Sequence, residues 1–292
     1  MFGSDAGVKW RIITDRPRSG AENMAVDEAI LESVVNKSSA PVIRFYSWSS
    51  PCVTIGYFQR MYEAIDVDEV DANSLDLVRR PTGGRAILHS DELTYSLTAP
   101  LSEFDDCKSV LETYLKINCG LAMGFRDYGI NVELAPSDDQ DVRTPEALLS
   151  SLKYVSQSQV FRPHVKSAAC FDTPAPYELV FHGRKVAGSA QTRRRDVLLQ
   201  QGSIPFSMDY RLMKRLFRMS CREADMLAMG TVAVRAISQE VDQLRLSRHL
   251  VNGLERALDV QTEDSDLTTV EMKKAYELLE EKYQRREWTF KR

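Results

Sequence analysis

"YELVFHGRKVAGSAQTRRRDVLLQQGSIPF", residues 177–206, is the stretch on which the reading of the fold turns. Three runs within it, YELVFH (177–182), RKVAGSAQT (184–192) and DVLLQQGSIPF (196–206), read as consecutive antiparallel strands divided by short polar breaks. His182-Gly183 is the length of a two-residue hairpin turn. That turn pairs Phe181 with Arg184 and Val180 with Lys185. Side-chain alternation then sets Lys185, Ala187 and Ser189 on one face beside Val180 and Glu178, with Leu179 and Val186 turned toward a core. The run Ala187-Gly188-Ser189-Ala190 has almost no side-chain bulk, which leaves room for an extended ligand to lie close to the sheet.

Working outward, Ser19 and Glu22 have the spacing of a capping box, and ENMAVDEAILESVV after them reads as an amphipathic helix. PVIRFYSW (41–48) and CVTIGYF (52–58) are expected as neighbouring strands. A short helix near 66–74, a strand at LDLVRR (75–80), a turn at PTGG (81–84) and a strand pair across RAILH and ELTYSLTAP follow. Apolar residues at helical spacing from Ser109 to Tyr128 predict a long packed helix closed by Gly129, and NVELA a strand. Residues 136–166 are polar and carry three prolines, with a weak helical patch near 145–154, and are expected to form a mobile loop. The C-terminal part reads as helices over 238–259 and 269–284, the second capped by Thr268 and Glu271. Strands arrive in runs instead of alternating with helices, so the class is α+β with mixed, largely antiparallel sheets packed by helices. The expected organisation is a catalytic domain over 10–237 and a helical C-terminal extension over 238–292.

At 292 residues with 43% hydrophobic and 27% charged content, the chain has the composition of a soluble globular protein. Its N-terminus lacks the apolar core of a signal peptide, and no stretch approaches the ~20 apolar residues of a membrane span, so a cytoplasmic protein is expected. The net charge of −4 argues against nucleic-acid binding. Local basic clusters, Arg79, Arg80 and Arg85 in one place and Arg184, Lys185 and Arg193 to Arg195 in another, leave a specific anion or an acidic partner open. Five cysteines, at 52, 107, 119, 170 and 221, are scattered without a CxxC pair or a histidine at ligand spacing, so neither a disulfide framework nor a metal site is expected.

Cys170 lies ahead of the Thr-Pro-Ala-Pro spacer that leads into the 177–206 strands. Pro174 and Pro176 stiffen that link and could hold the thiol over Lys185. An ammonium within about 4–6 Å lowers a thiol pKa by about 1–3 units, enough to turn a ~3% thiolate fraction at pH 7 into the majority form. Free cysteines are also among the most buried residue types, so the residues alone leave Cys170 open between packing and a nucleophile. Lys185 is equally open between a solvated strand residue and that thiol's partner, and His89, in LHSDE, between a hydrogen-bonded structural residue and a base. The other four cysteines sit in or beside apolar patterns and are read as packing.

Three blocks, RFYSWSSPCVTIGYFQ (44–59), RRPTGGRAILHSDELTYSL (79–97) and ACFDTPAPYELVFHGRKVAGSAQTRRRDVLLQQGSIPF (169–206), resemble in order the lipoate and octanoate transfer branch of the biotin and lipoate protein ligase superfamily. Within it they resemble the LipM-type octanoyltransferase family, from about Trp10 to the terminal EWTFKR. The resemblance implies the catalytic fold of that superfamily. It also implies transfer of an octanoyl group from octanoyl-acyl carrier protein to a lysine of a lipoyl domain, commonly the glycine cleavage H protein. Cys170 falls at the family's acyl-thioester cysteine and Lys185 at the lysine that lowers its pKa. Arg80, Thr82, Gly83, Gly84 and His89 fall in the motif that lines the acyl and pantetheine site, with Gly188, Ser189 and Ala190 opposite. No ATP, metal or other cofactor is implied. A monomer is expected, and Arg193 to Arg195 are candidates to receive the acidic carrier. An octanoyl amidotransferase acting between lipoyl domains, an ATP-dependent lipoate-protein ligase and a non-catalytic acyl-binding module are the alternatives. Against the ligase, Arg85 in TGGR stands where ligases favour a third glycine.

Overall fold

The computed structural model describes residues 9–104, 107, 109–136, 144–152 and 176–292. In chain order these form β1 (Trp10–Thr14), α1 (Gly20–Val35), β2 (Val42–Tyr46), β3 (Cys52–Ile55), α2 (Met61–Ala64), α3 (Val67–Ala72), β4 (Asp76–Arg79), β5 (Ile87–His89) and β6 (Glu92–Pro100). Then come α4 (Val110–Tyr128), β7 (Glu133–Leu134), α5 (Pro145–Ser151), β8 (Leu179–Phe181), β9 (Arg184–Lys185), β10 (Gly188–Arg194) and β11 (Val197–Pro205). The rest is α6 (Tyr210–Leu216), α7 (Cys221–Gly230), α8 (Val234–Ile237), α9 (Gln243–Leu258), β12 (Thr262–Asp264), α10 (Thr269–Leu278) and α11 (Arg286–Thr289).

Among the described residues the strands form one six-stranded sheet, ordered β10-β11-β6-β2-β1-β12, and two three-stranded sheets, β4-β3-β5 and β7-β8-β9. The centre of the large sheet is antiparallel, β2 to β6 to β11 to β10, and β1 pairs in parallel with both β2 and β12. This is the mixed, largely antiparallel α+β architecture that the strand runs implied. Helix α1 begins at the capping box of Ser19 and Glu22 and is buried along most of its surface, because it is wedged between the large sheet, β4 and α10. Among the described residues no helix is long and apolar enough to cross a membrane.

The hairpin lies where the sequence put it. Val180 pairs with Lys185 and Phe181 with Arg184, across a turn in which His182 (φ 48°) and Gly183 (φ 75°) both take left-handed backbone, the type I′ geometry that follows strand twist. RKVAGSAQT, however, is not one strand. Arg184–Lys185 belongs to the β7-β8-β9 sheet, where Thr231 takes the free edge of Lys185, whereas Gly188–Arg194 is the edge of the large sheet against β11. The chain crosses from one sheet to the other at Val186 and Ala187, so Lys185 and Ser189 do not share a face.

The same correction applies twice more. The expected neighbours at 41–48 and 52–58 separate, β2 into the large sheet and β3 into the β4-β3-β5 sheet, and β5 and β6 part in the same way. In each case a short polar break lets the chain step between layers, and alternation alone does not encode that step. Helices α6, α7 and α8 and the strand β12 were not foreseen. Helix α10 ends at Leu278 and passes into a wide turn over Leu279–Tyr283. Of the expected loop at 136–166, the described part is Pro136 and α5 with its flanks, capped by Thr144. The remainder lies outside the described residues.

The 238–292 segment is helical apart from β12, and it packs at the centre of the molecule. Leu246, Leu250, Leu254 and Leu258 of α9 enter the main core against Leu115, Cys119 and Ala122 of α4. The two helices meet backbone to backbone: a Cβ on Gly253 would fall 2.2 Å from Gly120 O, and one on Gly124 would fall 2.5 Å from His249 O. Only glycine permits that approach.

Candidate active site

A cleft enclosing about 350 Å³ of free space opens between the large sheet and the β4-β3-β5 sheet. Thr54, Arg80 and His89 line it from the smaller sheet, and Gly188, Ser189 and Ala190 from the edge strand of the larger one. These are five of the residues marked in the sequence, brought to one place by two different sheets. The loop at Thr82, Gly83 and Gly84 forms the rim. Thr82 Oγ1 donates to Gln201 Oε1 at 2.7 Å, and a Cβ on Gly84 would touch Ala190 at 3.4 Å. Gly84 has φ +82°, a conformation natural to glycine.

Arg80 is almost fully buried, and its guanidinium is occupied by the rim. It donates to Gly83 O at 2.7 Å, Arg85 O at 2.7 Å and Thr54 Oγ1 at 3.1 Å. The neighbouring Arg79, on the opposite face of β4, donates to Gly56 O, Tyr57 O, Gln59 O and Thr289 O. Both are clamps on loop carbonyls, which corrects the reading of this cluster as either solvated surface or an anion site.

His89 is held from both sides. Glu92 carries no proton to give, so His89 Nδ1 donates to Glu92 Oε1 at 2.8 Å. Thr54 Oγ1 accepts from Arg80 and keeps its own proton for His89 Nε2, 2.8 Å away. The ring stacks on Trp48 with centroids 4.0 Å apart. His89 is therefore the structural residue of the two readings, with neither nitrogen turned to the cleft. Burial opposes a charge on Glu92, but His89, Thr94 and Ser203 more than offset it and hold the carboxyl below its ordinary pKa.

Behind the cleft Asp27 accepts four donors, Arg44 Nη1 (2.7 Å), Ser96 Oγ (2.8 Å), Tyr46 Oη (2.9 Å) and Gln201 Nε2 (2.7 Å). Asp27 and Arg44 are fully buried. Burial first, and the Asp27 charge second, push the Tyr46 phenol well above its usual pKa. Sequence reasoning missed this network. The available signal was an acid on the apolar face of VDEAI opposite an arginine inside VIRFY.

Lys185 is 1% exposed, and its Nζ donates to Glu178 Oε1 at 2.7 Å. It does not line the cleft. Cys170 lies outside the described residues, as do Pro174 and the rest of the 153–175 link. Of the other cysteines, Cys52 and Cys119 are buried, and burial pushes both thiols far up. Cys221 is exposed at the start of α7, within 3.0 Å of Lys214 Nζ, which corrects its reading as packing. In the second basic cluster Arg193 donates to Ser109 O and Thr113 Oγ1, and Arg194 pairs with Glu32 at 3.2 Å. Among the described residues no group of three or more His, Cys, Asp and Glu is placed to hold a metal ion.

A glycine-rich rim facing a small-residue edge strand, with a buried lysine one hairpin away, is the layout of an acyl-handling cleft. Residues 19–246 match the lipoyl protein ligase A/B catalytic domain, and the chain belongs to that family. Within it the chain is 37% identical over 288 residues to the octanoyltransferase LipM of Carboxydothermus hydrogenoformans, covering 97% of this chain and 98% of the relative. It is 36% identical over 289 residues to octanoyltransferase LipM of Staphylococcus aureus, covering 97% and 99%. Two solved structures share the fold. One is the bipartite lipoate protein ligase of Thermoplasma acidophilum (TM-score 0.74, 20% identity, 97% of this chain and 96% of that one). The other is a lipoate-protein ligase A bound with ATP (TM-score 0.73, 20% identity, 97% and 99%).

Proposed function

We propose that this chain is the octanoyltransferase of a lipoate-making pathway. In this reading it takes octanoyl from octanoyl-acyl carrier protein onto Cys170 and passes it to a lysine of a lipoyl domain such as the glycine cleavage H protein. The observation that carries the reading is end-to-end similarity to proteins bearing that activity, at 37% identity over 97% of the chain. The cleft supports it by offering a low wall, Gly188 to Ala190, to an unbranched chain.

In the first step the Cys170 thiolate attacks the octanoyl carbonyl, forming a new C–S bond. The old C–S bond breaks, and the carrier's thiol leaves with a proton. Lys185, held by Glu178, supplies the cation that favours the thiolate. In the second step the acceptor amine forms a C–N bond, the bond to Cys170 breaks and the amine's extra proton is released. Thioester to thioester is nearly isoenergetic and thioester to amide is downhill, so ATP and metal have no role. The protein acts in the cytoplasm as a monomer.

The test is transfer itself. Octanoyl carrier, a lipoyl domain and the enzyme are mixed without ATP, and the lipoyl domain is weighed by intact mass spectrometry. Octanoylation that is lost in Cys170→Ser supports the reading. Modification that needs ATP and free octanoate, and survives that substitution, would identify a ligase instead.

A further inference from the structure

The hydroxyl of Ser189, on the wall of the cleft, is the last member of a hydrogen-bond chain that runs in one direction. It starts at Arg193, which can only donate, and whose Nη2 lies 3.2 Å from Thr113 Oγ1. Thr113 Oγ1 is 3.0 Å from Gln191 Oε1, an oxygen without a proton, so the threonine donates. Val110 O, 2.9 Å away, shares that proton without reversing the direction. Gln191 Nε2 donates to Gln200 Oε1 at 3.2 Å, and Gln200 Nε2 donates to the Tyr95 phenol oxygen at 2.8 Å.

Tyr95 has then accepted one hydrogen bond and has one proton left. The nearest acceptor for it is Ser189 Oγ, 2.8 Å away. Burial pushes the phenol's pKa up to about 12, so that proton stays in place at neutral pH. With Tyr95 donating, the proton of Ser189 must point away from Tyr95, and the open side of Ser189 is the cleft. The approach of phenol to serine needs Gly202. A Cβ there would fall 2.1 Å from Tyr95 Cε1 and 2.8 Å from Ser189 Oγ. Backbone, rotamer and donor direction thus converge on one hydroxyl.

We propose that Ser189 donates a hydrogen bond to the carbonyl oxygen of the acyl group in the cleft, with Tyr95 as the positioning residue that fixes its direction. This rests on the transferase reading, which supplies a carbonyl to the cleft. Such a donor strengthens as negative charge builds on that oxygen during attack. Ser189 touches substrate, and Tyr95, Gln200 and Arg193 act through it.

The test uses nonan-2-one, a ketone with the hydrocarbon chain of an octanoyl group and nothing to transfer, and nonane as its carbonyl-free counterpart. In the wild-type enzyme the bound ketone's infrared carbonyl band is expected at lower frequency than in an apolar solvent. The shift is lost in Ser189→Ala, and the band broadens and partly reverts in Tyr95→Phe. Ketone affinity falls about fivefold in Ser189→Ala, the worth of one neutral hydrogen bond, while nonane affinity is unchanged in both variants. Equal band positions in wild type and Ser189→Ala, equal losses of ketone and nonane binding, or no ketone binding at all would each overturn the proposal. A carbonyl shift without octanoyl transfer would refute the transferase reading alone, and transfer without the shift would refute this inference alone.

Discussion

Replacing Asp27 by asparagine should be the most damaging conservative change near the cleft. The carboxylate receives four donors, two on each oxygen, and none of the four can reverse to become an acceptor where it stands except the hydroxyls of Ser96 and Tyr46. An amide sets an N–H₂ group against one pair of donors and removes a charged partner from Arg44, which is fully buried. Taking one partner from a buried ion pair costs about 3–5 kcal/mol. At roughly 2 °C per kcal/mol for a chain of this size, Tm should fall by about 6–10 °C. Ser96→Ala, which removes one neutral donor from the same carboxylate, should cost only about 1 kcal/mol. Urea unfolding of the wild type and both variants, compared at constant m, measures the difference. If Asp27→Asn costs less than about 1 kcal/mol, or no more than Ser96→Ala, the charge of Asp27 is not what organises the back of the cleft.

Glu92 gives a pH signature. Its folded pKa lies below its ordinary value of 4.5, so the stability it contributes is complete above pH 4.5 and is lost as pH falls through the lower folded value. Glu92→Gln should flatten the acid limb of the stability curve, and an unchanged limb would contradict the network drawn around His89. Arg80→Met should free the 81–84 rim by removing its bonds to Gly83 O and Arg85 O, raising KM for the acyl donor more than it lowers kcat. A variant with unaltered KM would show that the rim needs no clamp. Gly253→Ala should destabilise the α4–α9 crossing by about 1–3 kcal/mol through overpacking, read as a lower urea midpoint, and a neutral result would mean that the helices part easily.

Local features were legible in the sequence because their causes are local. The capping boxes at Ser19 and Thr268 satisfy helix ends within four residues, and the His182-Gly183 turn fixes the register of Val180 against Lys185. Which strands share a sheet was not legible. Alternation assigns a face but not a partner, and the breaks at Ser49-Ser50-Pro51, Ser90-Asp91 and Val186-Ala187 look alike whether the chain reverses within a sheet or leaves it. Strand β12, Thr262-Glu263-Asp264, has no apolar pattern at all, because it is an edge held by backbone pairing to β1. At the site, Arg80, His89 and the 188–190 run were found through motif resemblance. Asp27, Glu92, Tyr95 and Gln200 were not, since each acquires its role from partners distant in sequence. Resemblance also could not tell that Arg80 and His89 are spent on holding the cleft together.

The most direct measurement is the intact mass of the enzyme after brief exposure to octanoyl-acyl carrier protein with no acceptor, in a Cys221→Ser background that removes the exposed thiol. One octanoyl group should be added, mapped by digestion to Cys170, released by hydroxylamine and transferred when a lipoyl domain is supplied, with Lys185→Met slowing its formation. An enzyme that modifies the lipoyl domain at full rate while never carrying the octanoyl group, or that carries it elsewhere than Cys170, would contradict the account.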